Sequence, residues 1–257
     1  IMGPSGSGKS TLLNCLSTLD KVSCGSVMVY GHEVSSMSQD KLSHFRYEKI
    51  GFVFQNHNLI PYLSIYDNIA SPIILGHEKP KVIQKRVHEL ASELEIEKLL
   101  DKFPHECSGG ECQRIAMARA LVNHPDIIFC DEPTGNLDSK NSHKLLTFLS
   151  KLNAQGTTIV LVTHDSSIAS YSKTMMYLYD GGIKTVIHKN NATQKDFFNK
   201  INEIIHQDSL LNEFDKSSIK NNIPKVEKMG IQDQKKEFVS RQTVYIVVDG
   251  LKYDKDI

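Results

Sequence analysis

The chain has 257 residues, enough for one large domain or two small ones, and 40% of them are hydrophobic, which suits a folded core. The 30 basic and 30 acidic residues balance, so the net charge gives no reason to expect a nucleic-acid partner. Five cysteines form no CxxC pair, which favours reduced thiols in a cytosolic protein. No apolar stretch approaches the ~18 residues of a membrane-spanning helix, so a role at a membrane would need a partner that holds the chain there.

Residues 3–10 follow the pattern G-x-x-x-x-G-K-[ST], typical of a phosphate-binding loop in which glycines let backbone N–H groups point at phosphate oxygens. Lys9 would bring positive charge to the β- and γ-phosphates, and Ser10 a hydroxyl to Mg²⁺. The apolar run that follows predicts a helix whose positive N-terminus faces the phosphates. A Gly/Ser-rich loop formed by chance is the alternative interpretation, and the later motifs make it a minor one. The nucleotide-binding candidates here are Gly3, Pro4, Ser5, Gly6, Ser7, Gly8, Lys9, Ser10 and Thr11.

The two residues before this loop, Ile1-Met2, have the character of the end of a buried strand. A phosphate-binding loop needs a strand to enter it, and most of that strand is absent. No initiator methionine opens the chain. We therefore expect a fragment or a truncated gene product.

Apolar periodicity predicts strands that alternate with helices along the chain. The predicted strands lie at 26–30, 50–54, 127–130, 158–163, 174–179 and 183–188. The predicted helices lie at 38–47, 64–76, 80–102, 109–122 and 145–152, with a final one that carries Phe197, Ile201, Ile204 and Ile205 on one face. This order favours an α/β fold with a mostly parallel sheet covered on both faces, into which a helical segment at about 56–120 is inserted.

The character of the chain changes after about residue 206. Residues 208–241 are polar, charged and poor in aromatic side chains, as in linkers or disordered tails. Residues 243–248 then have strand character, and they could complete a sheet edge or be exposed. We expect a domain at 1–206 and a partly disordered tail at 207–257.

Two carboxylates, Asp131 and Glu132, follow the predicted buried strand 127–130. A carboxylate at the end of a parallel strand beside a phosphate-binding loop is where Mg²⁺ is expected, so Asp131 is the candidate magnesium residue. Glu132 is the candidate catalytic base that accepts a proton from, or orients, the attacking water. A solvated pair of loop residues is the alternative, and the preceding strand and the phosphate loop make it a minor one.

Residues 107–111, Cys-Ser-Gly-Gly-Glu, begin the predicted helix 109–122 and are similar to the signature motif of ABC-transporter ATPases. In that family the motif reaches across a dimer to the γ-phosphate held by the partner, a role that the resemblance gives to Ser108, Gly109, Gly110 and Glu111. The chain has Cys107 where leucine is usual and Glu111 where glutamine is usual. Ser108 and Glu111 also fit a capping box, which is our interpretation of the glutamate.

Three further positions match motifs of the same family. Gln55 resembles the glutamine that touches Mg²⁺ and senses the membrane partner, Asp138 follows Asn136-Leu137 as in the D-loop, and His164 resembles the switch histidine that contacts the γ-phosphate. The resemblance covers about residues 1–206 and implies a P-loop NTPase (RecA-like) sheet, hydrolysis of ATP with Mg²⁺, and catalytic roles for Glu132 and His164. It also implies Mg²⁺ ligation by Ser10, Gln55 and Asp131. The family's N-terminal β-subdomain, with the aromatic residue that stacks on adenine, is the part that we expect to be missing.

Residues 135–140 and 179–201 resemble the branch that serves FtsX-like permeases, and within it the ATPases of bacitracin-type exporters. The resemblance implies a homodimer, peripheral to the cytoplasmic face of the membrane, that powers peptide-antibiotic export or resistance through an integral-membrane permease. The residues expected to meet this permease include Leu59, Ile60 and Tyr62.

Alternative functions remain open at this level. A lipoprotein-release or macrolide-export ATPase of the same branch fits the same motifs, and so does a non-catalytic truncated fragment that only binds a partner. A chromosome-maintenance ATPase would carry long coiled coils between Lys9 and Ser108, and a translation factor of this family would carry two cassettes. The chain has neither feature.

Overall fold

The structure, a computed structural model, describes residues 1–135, 137–218 and 244–247. The α-helices are α1 Lys9–Leu16, α2 Gln39–Lys49, α3 Ile65–Leu75, α4 Pro80–Glu93, α5 Gly109–Leu121, α6 Ser139–Ala154, α7 Ser166–Ala169 and α8 Gln194–Ser218. The strands are β1 Ser26–Val29, β2 His32–Glu33, β3 Ile50–Val53, β4 Ile127–Asp131, β5 Thr158–Val162, β6 Thr174–Tyr179, β7 Gly182–His188 and β8 Val244–Val247. Within the described residues, no helix is both long and apolar enough to cross a bilayer.

The central sheet is parallel, as the alternation of strands and helices predicts. β4 lies between β3 and β5, with Ile127 opposite both Ile50 and Thr158. The β4 residues Ile127 to Cys130 are all 0% exposed, because helices cover both faces of this strand. β4 is therefore the buried central strand of this sheet, and Asp131 and Glu132 lie at its carboxyl end.

The first two residues extend this sheet towards the β6–β7 hairpin. The Thr163 amide donates to the Ile1 carbonyl at 3.1 Å, so Ile1 lies beside the end of β5. On the other side, the Met2 amide donates to Met176 O at 2.8 Å and the Leu178 amide donates to Met2 O at 2.7 Å. Met2 is 1% exposed, which agrees with the prediction that Ile1-Met2 is the end of a buried strand.

The helical segment packs on one face of the sheet around a large apolar cluster. Side chains of α3, α4 and α5 meet the sheet residues Val53 and Ile128 there. The predicted helix 80–102 is too long, because α4 ends at Glu93 and Glu95 has a φ of 58°, outside the helical region. Leu94, Ile96, Leu99 and Leu100 are nevertheless buried, so their apolar spacing imitates helical periodicity without the helix.

A loop at 54–64 links β3 to α3 and is held by a buried asparagine. The Asn68 side chain is 0% exposed, its Oδ1 accepts from the Ile60 amide at 2.7 Å, and its Nδ2 donates to Ile60 O at 3.0 Å and Leu63 O at 3.1 Å. The Asn68 side chain thus supplies hydrogen bonds to backbone groups of the loop that no helix or sheet satisfies.

The end of the chain differs in part from the sequence-based expectation. α8 continues to Ser218, past the position near residue 208 where a polar tail is expected to begin. β8 pairs antiparallel with β1, with Ser26 opposite Val247, so the strand expected at 243–248 completes a sheet edge. The expectation of disorder for the rest of 207–257 falls largely on 219–243 and 248–257, which lie outside the described residues.

Asn68→Ala should destabilise the protein by about 3 kcal/mol, because it leaves several partly buried backbone groups unpaired. Asn123→Ala is the matched control, since its Nδ2 makes one bond to Tyr47 O at 2.9 Å, and it should lose about 1 kcal/mol. Urea unfolding of both variants measures the difference. Equal losses would show that Asn68 is not the main support of the loop.

Candidate functional site

The phosphate-binding loop begins directly after Met2 and ends at α1. Gly8 is the N-cap of α1 with a φ of 90°, and Gly6 has a φ of 78°, both in the left-handed region that glycine adopts without a steric penalty. The loop therefore turns in the way that its glycines predict, and α1 starts at Lys9 with its N-terminus at the loop.

The β6–β7 hairpin braces this loop from one side. A Cβ atom at Gly3 would overlap the carbonyl oxygen of Leu178, so the two backbones can approach only because Gly3 has no side chain. The Gly181 amide of the hairpin turn donates to Ser7 O at 3.2 Å. The sequence predicts the turn at 180–182, but its local pattern gives no signal of this contact with the loop.

Two polar side chains are buried in the loop. Lys9 is 9% exposed, and its ammonium group donates to the carbonyl of Pro4 at 2.8 Å. Ser7 is 3% exposed, and its Oγ has no hydrogen-bond partner among the described residues. A buried cation and an unpaired buried hydroxyl beside a helix N-terminus fit an anionic group such as a phosphate.

Ser10 and Asp131 form the candidate magnesium site. The Ser10 hydroxyl donates to Asp131 Oδ1 at 3.3 Å, which joins the phosphate loop to the end of β4. Burial raises the pKa of the Asp131 carboxyl, and the hydrogen bond from Ser10 only partly offsets this effect. One carboxylate and one hydroxyl suit Mg²⁺, which usually takes one or two protein oxygens together with water and substrate phosphates. The residues present therefore fit the ion.

The Glu132 carboxylate lies between the side chains of Gln55 and His164. Gln55 Nε2 donates to Glu132 Oε2 at 3.3 Å, and His164 Nδ1 lies 2.8 Å from Glu132 Oε1. Glu132 has a φ of 44°, a strained conformation for a non-glycine residue, and its amide donates to Val162 O at 3.0 Å. The ends of β3 and β5 thus bring two side chains from distant sequence positions, Gln55 and His164, to the carboxylate of Glu132 at the end of β4.

The short contact with Glu132 constrains the protons of His164. An ionised carboxylate only accepts hydrogen bonds, so Nδ1 carries the ring proton in this arrangement. In the neutral ring Nε2 is then an acceptor. His164 can donate to Glu132 and to a phosphate at the same time only when both ring nitrogens are protonated.

The start of α5 forms the capping box that the sequence predicts. Glu111 Oε2 accepts from the Ser108 amide and from the Ser108 hydroxyl, both at 2.7 Å, and the Glu111 amide donates to Ser108 Oγ at 3.4 Å. These bonds from Ser108 lower the pKa of Glu111. Gly110 lies against the D-loop, because a Cβ there would be 3.3 Å from Leu137 Cδ2.

Asp138 acts within this chain as the N-cap of α6. Its Oδ1 accepts from the Asn141 amide and its Oδ2 from the Asn141 side chain, both at 2.8 Å. The backbone bond from Asn141 lowers the pKa of Asp138. The D-loop residue Asn136 lies outside the described residues. The signature and D-loop residues therefore meet each other, apart from the cluster around Glu132.

Comparisons with known proteins agree with this arrangement. The family model described as ABC transporter matches residues 1–135. The bacitracin export ATP-binding protein BceA of Halalkalibacterium halodurans is 44% identical over 202 residues, which are 78% of this chain and 80% of the relative. The macrolide export ATP-binding/permease protein MacB of Campylobacter jejuni is 44% identical over 195 residues, 76% of this chain and 30% of that longer protein.

Solved structures with the same architecture include MJ0796, a protein of Methanocaldococcus jannaschii. Its dimeric ATP-binding cassette in a post-hydrolysis state with ADP and Pi superposes with a TM-score of 0.69 and 42% identity, over 73% of this chain and 83% of that chain. A second dimeric structure of MJ0796 gives a TM-score of 0.70 at the same identity and coverage.

Asp131→Asn should lose the Mg²⁺ dependence of ATP binding and yet melt at a higher temperature than the wild type at neutral pH. A raised pKa means that the ionised carboxyl is less favourable in the folded state, and the amide removes that penalty. The gain should vanish as the pH falls below the pKa of Asp131, where the wild-type carboxyl is protonated as well. Thermal unfolding across pH, with ATP binding with and without Mg²⁺, measures both effects.

Asp138→Asn is the control of opposite sign, because its pKa is lowered and its charge is favourable in the folded state. It should melt at a lower temperature than the wild type at neutral pH. A lower melting temperature for Asp131→Asn as well would contradict our account of the Asp131 environment.

Proposed function

The chain belongs to the ABC transporter family, and we propose that it is the ATP-hydrolysing subunit of an exporter that confers resistance to peptide antibiotics. The observation that carries the proposal is the convergence of Gln55 and His164 on the carboxylate of Glu132, next to the phosphate loop. A non-catalytic fragment has no need for three such side chains to converge, so the cluster favours a working enzyme.

The phosphate loop and α1 bind the nucleotide. Backbone N–H groups of Gly6 and Gly8, together with the Lys9 ammonium, neutralise the phosphate oxygens at the helix N-terminus. Ser10 and Asp131 would hold Mg²⁺, and Gln55 is the further ligand that the family resemblance implies. The ion supplies Lewis-acid stabilisation of the charge on the transferred phosphoryl group.

Glu132 accepts the proton of the attacking water. Gln55 occupies one of its oxygens and His164 the other, which fixes the plane of the carboxylate relative to the phosphate loop. The Glu132 side chain is only 21% exposed, while that of His164 is 69% exposed, so the His164 ring stays accessible to the γ-phosphate while its Nδ1 contacts Glu132. His164 then stabilises negative charge on that group.

A head-to-tail homodimer would complete the site, with Ser108 of one copy at the γ-phosphate bound by the other. Supporting this proposal, MJ0796 is dimeric in both solved structures. Ser108 is exposed, and its hydroxyl is already engaged by Glu111 at 2.7 Å, so a phosphate there competes with this intramolecular bond.

An integral-membrane permease of the FtsX-like type is the proposed partner at the cytoplasmic face of the membrane. The loop that carries Gln55 exposes 89% of Tyr62 and 44% of Ile60, an apolar surface linked directly to the catalytic cluster. The similarity to BceA supports bacitracin-type peptides as the exported class. The similarity to MacB keeps macrolide export as the second candidate, and lipoprotein release belongs to the same branch.

Glu132→Gln should bind ATP with unchanged affinity but turn it over about 10²–10⁴-fold more slowly, because the amide cannot accept the proton of water. The bound nucleotide should then trap the dimer, which light scattering with ATP and Mg²⁺ would detect. Glu48→Gln is the matched control on the surface of α2 and should leave turnover unchanged. Near-normal ATP turnover by Glu132→Gln would contradict the assignment of Glu132 as the catalytic base.

Expression of this protein with an FtsX-like permease in a sensitive strain should raise resistance to bacitracin, and Glu132→Gln should abolish the gain. Tyr62→Ala should reduce association with permease-containing membranes while ATP turnover in solution stays unchanged. Ile183→Ala, which removes another exposed apolar side chain on the β6–β7 hairpin, is the control. Resistance to macrolides instead of bacitracin would favour the second candidate.

A further inference from the structure

The loop at 54–64 contains a strained segment two residues after Gln55. His57 has a φ of 61° and Asn58 a φ of 48°, so two consecutive non-glycine residues lie in the left-handed region. Histidine and asparagine tolerate this region better than most residues with a Cβ, but two of them in succession still need neighbouring groups to hold them there. The backbone at Gln55 therefore depends on whatever fixes these two residues.

A single arginine of α5 holds both of them. Arg119 Nη1 donates to the carbonyl of Asn58 and Nη2 donates to the carbonyl of His57, each at 2.6 Å. The planar guanidinium presents two parallel donors in a fixed geometry, and two consecutive carbonyls receive them. A lysine ammonium has no such fork and can satisfy one carbonyl well, but not both.

Arg119 has no other charge to balance it. Within the part of the chain that the structure describes, no carboxylate lies at ion-pairing distance from its guanidinium. Burial lowers the pKa of Arg119, and no charged neighbour contributes to that shift. The carbonyls of His57 and Asn58 are thus the groups that compensate the partly buried guanidinium. Both must stay at hydrogen-bonding distance, because losing either leaves the cation poorly solvated.

The other half of the loop is fixed independently by Asn68 of α3, which pairs with Ile60 and Leu63. Arg119 therefore controls the half next to Gln55, whose side chain donates to Glu132 at 3.3 Å. The same helix begins at the Ser108 capping box, and its central residues Ile115 to Ala118 are 0% exposed. The loop and the signature motif are joined to one rigid, buried element.

We propose that Arg119 is a positioning residue for ATP hydrolysis, which holds the His57–Asn58 backbone in its left-handed conformation and so places Gln55 at Glu132. This inference rests on the proposed ATPase function, and Arg119 acts through Gln55 without touching the nucleotide.

The first test is steady-state kinetics of Arg119→Lys. Its kcat should fall by about tenfold, because a catalytic group is displaced, while KM for ATP stays within about twofold, since the phosphate loop is untouched. Arg46→Lys is the matched control: Arg46 Nη1 donates to the carbonyl of Thr18, another left-handed residue, with a φ of 65°. Arg46→Lys should keep the wild-type kcat. Equal effects of both variants, or a kcat unchanged in Arg119→Lys, would overturn the proposal.

The second test uses Asn58→Val, an exposed position where a β-branched residue disfavours the left-handed conformation without altering Arg119. It should lower kcat to a similar extent. In the double variant with Arg119→Lys the two losses should not multiply, because both release the same backbone segment. Multiplying losses would show that Arg119 acts by another route.

Hydrogen exchange separates this inference from the proposed function. Amides of residues 57–59 should exchange about tenfold faster in Arg119→Lys than in the wild type or in Arg46→Lys, whether or not the protein hydrolyses ATP, while the Ile60 amide, which Asn68 holds, should not change. Absence of ATPase activity in the wild type would refute the proposed function. Unchanged exchange in Arg119→Lys would refute the proposal that Arg119 holds the His57–Asn58 backbone.

Discussion

The hydrogen bonds that seat Ile1 and Met2 between β5 and β6 fix the position of the phosphate loop. The loop starts at the next residue, and Gly3 lies too close to the Leu178 carbonyl for any side chain. Since β4 pairs with β5, Asp131 at the end of β4 and Glu132 directly after it are held close to the same loop. The Ser10 to Asp131 hydrogen bond is a consequence of this register. Strand order alone thus brings the phosphate site and the carboxylates together.

The site concentrates unfavourable features that the rest of the fold tolerates. Glu132 has a left-handed backbone, Asp131 is an acid whose pKa burial raises, and Ser7 Oγ is buried without a partner in the described part of the chain. A bound phosphate would give Ser7 Oγ a hydrogen-bond partner, and a bound cation would favour the ionised carboxyl of Asp131. Such residues are selected for binding and chemistry and not for stability, which is why they cluster at one edge of the sheet.

The sequence predicts most elements because their signals are local. Glycines predict the turns of the phosphate-binding loop, Ser108 and Glu111 predict the start of α5, and apolar runs predict β4 and β5. The start of α6 is missed, because its first turn from Ser139 is exposed and polar, so apolar periodicity detects only the face around Leu145 and Leu149. The contacts of Gly181 with Ser7 and of Arg119 with His57 join distant segments through backbone groups, which leave no pattern in composition or periodicity.

Helix α5 links two parts of the site that would otherwise be independent. Its thirteen residues span about 20 Å, with the signature motif at one end and the fork of Arg119 near the other. If a buried helix of this length moves as a unit, displacement of the loop at 54–64 would change the position of Ser108, and displacement of Ser108 would change that of Gln55. By linkage, a partner of the loop and a nucleotide that both bind more tightly in one of these positions would each raise the affinity for the other by the same factor. Communication between the two surfaces then follows from the rigidity of a single helix.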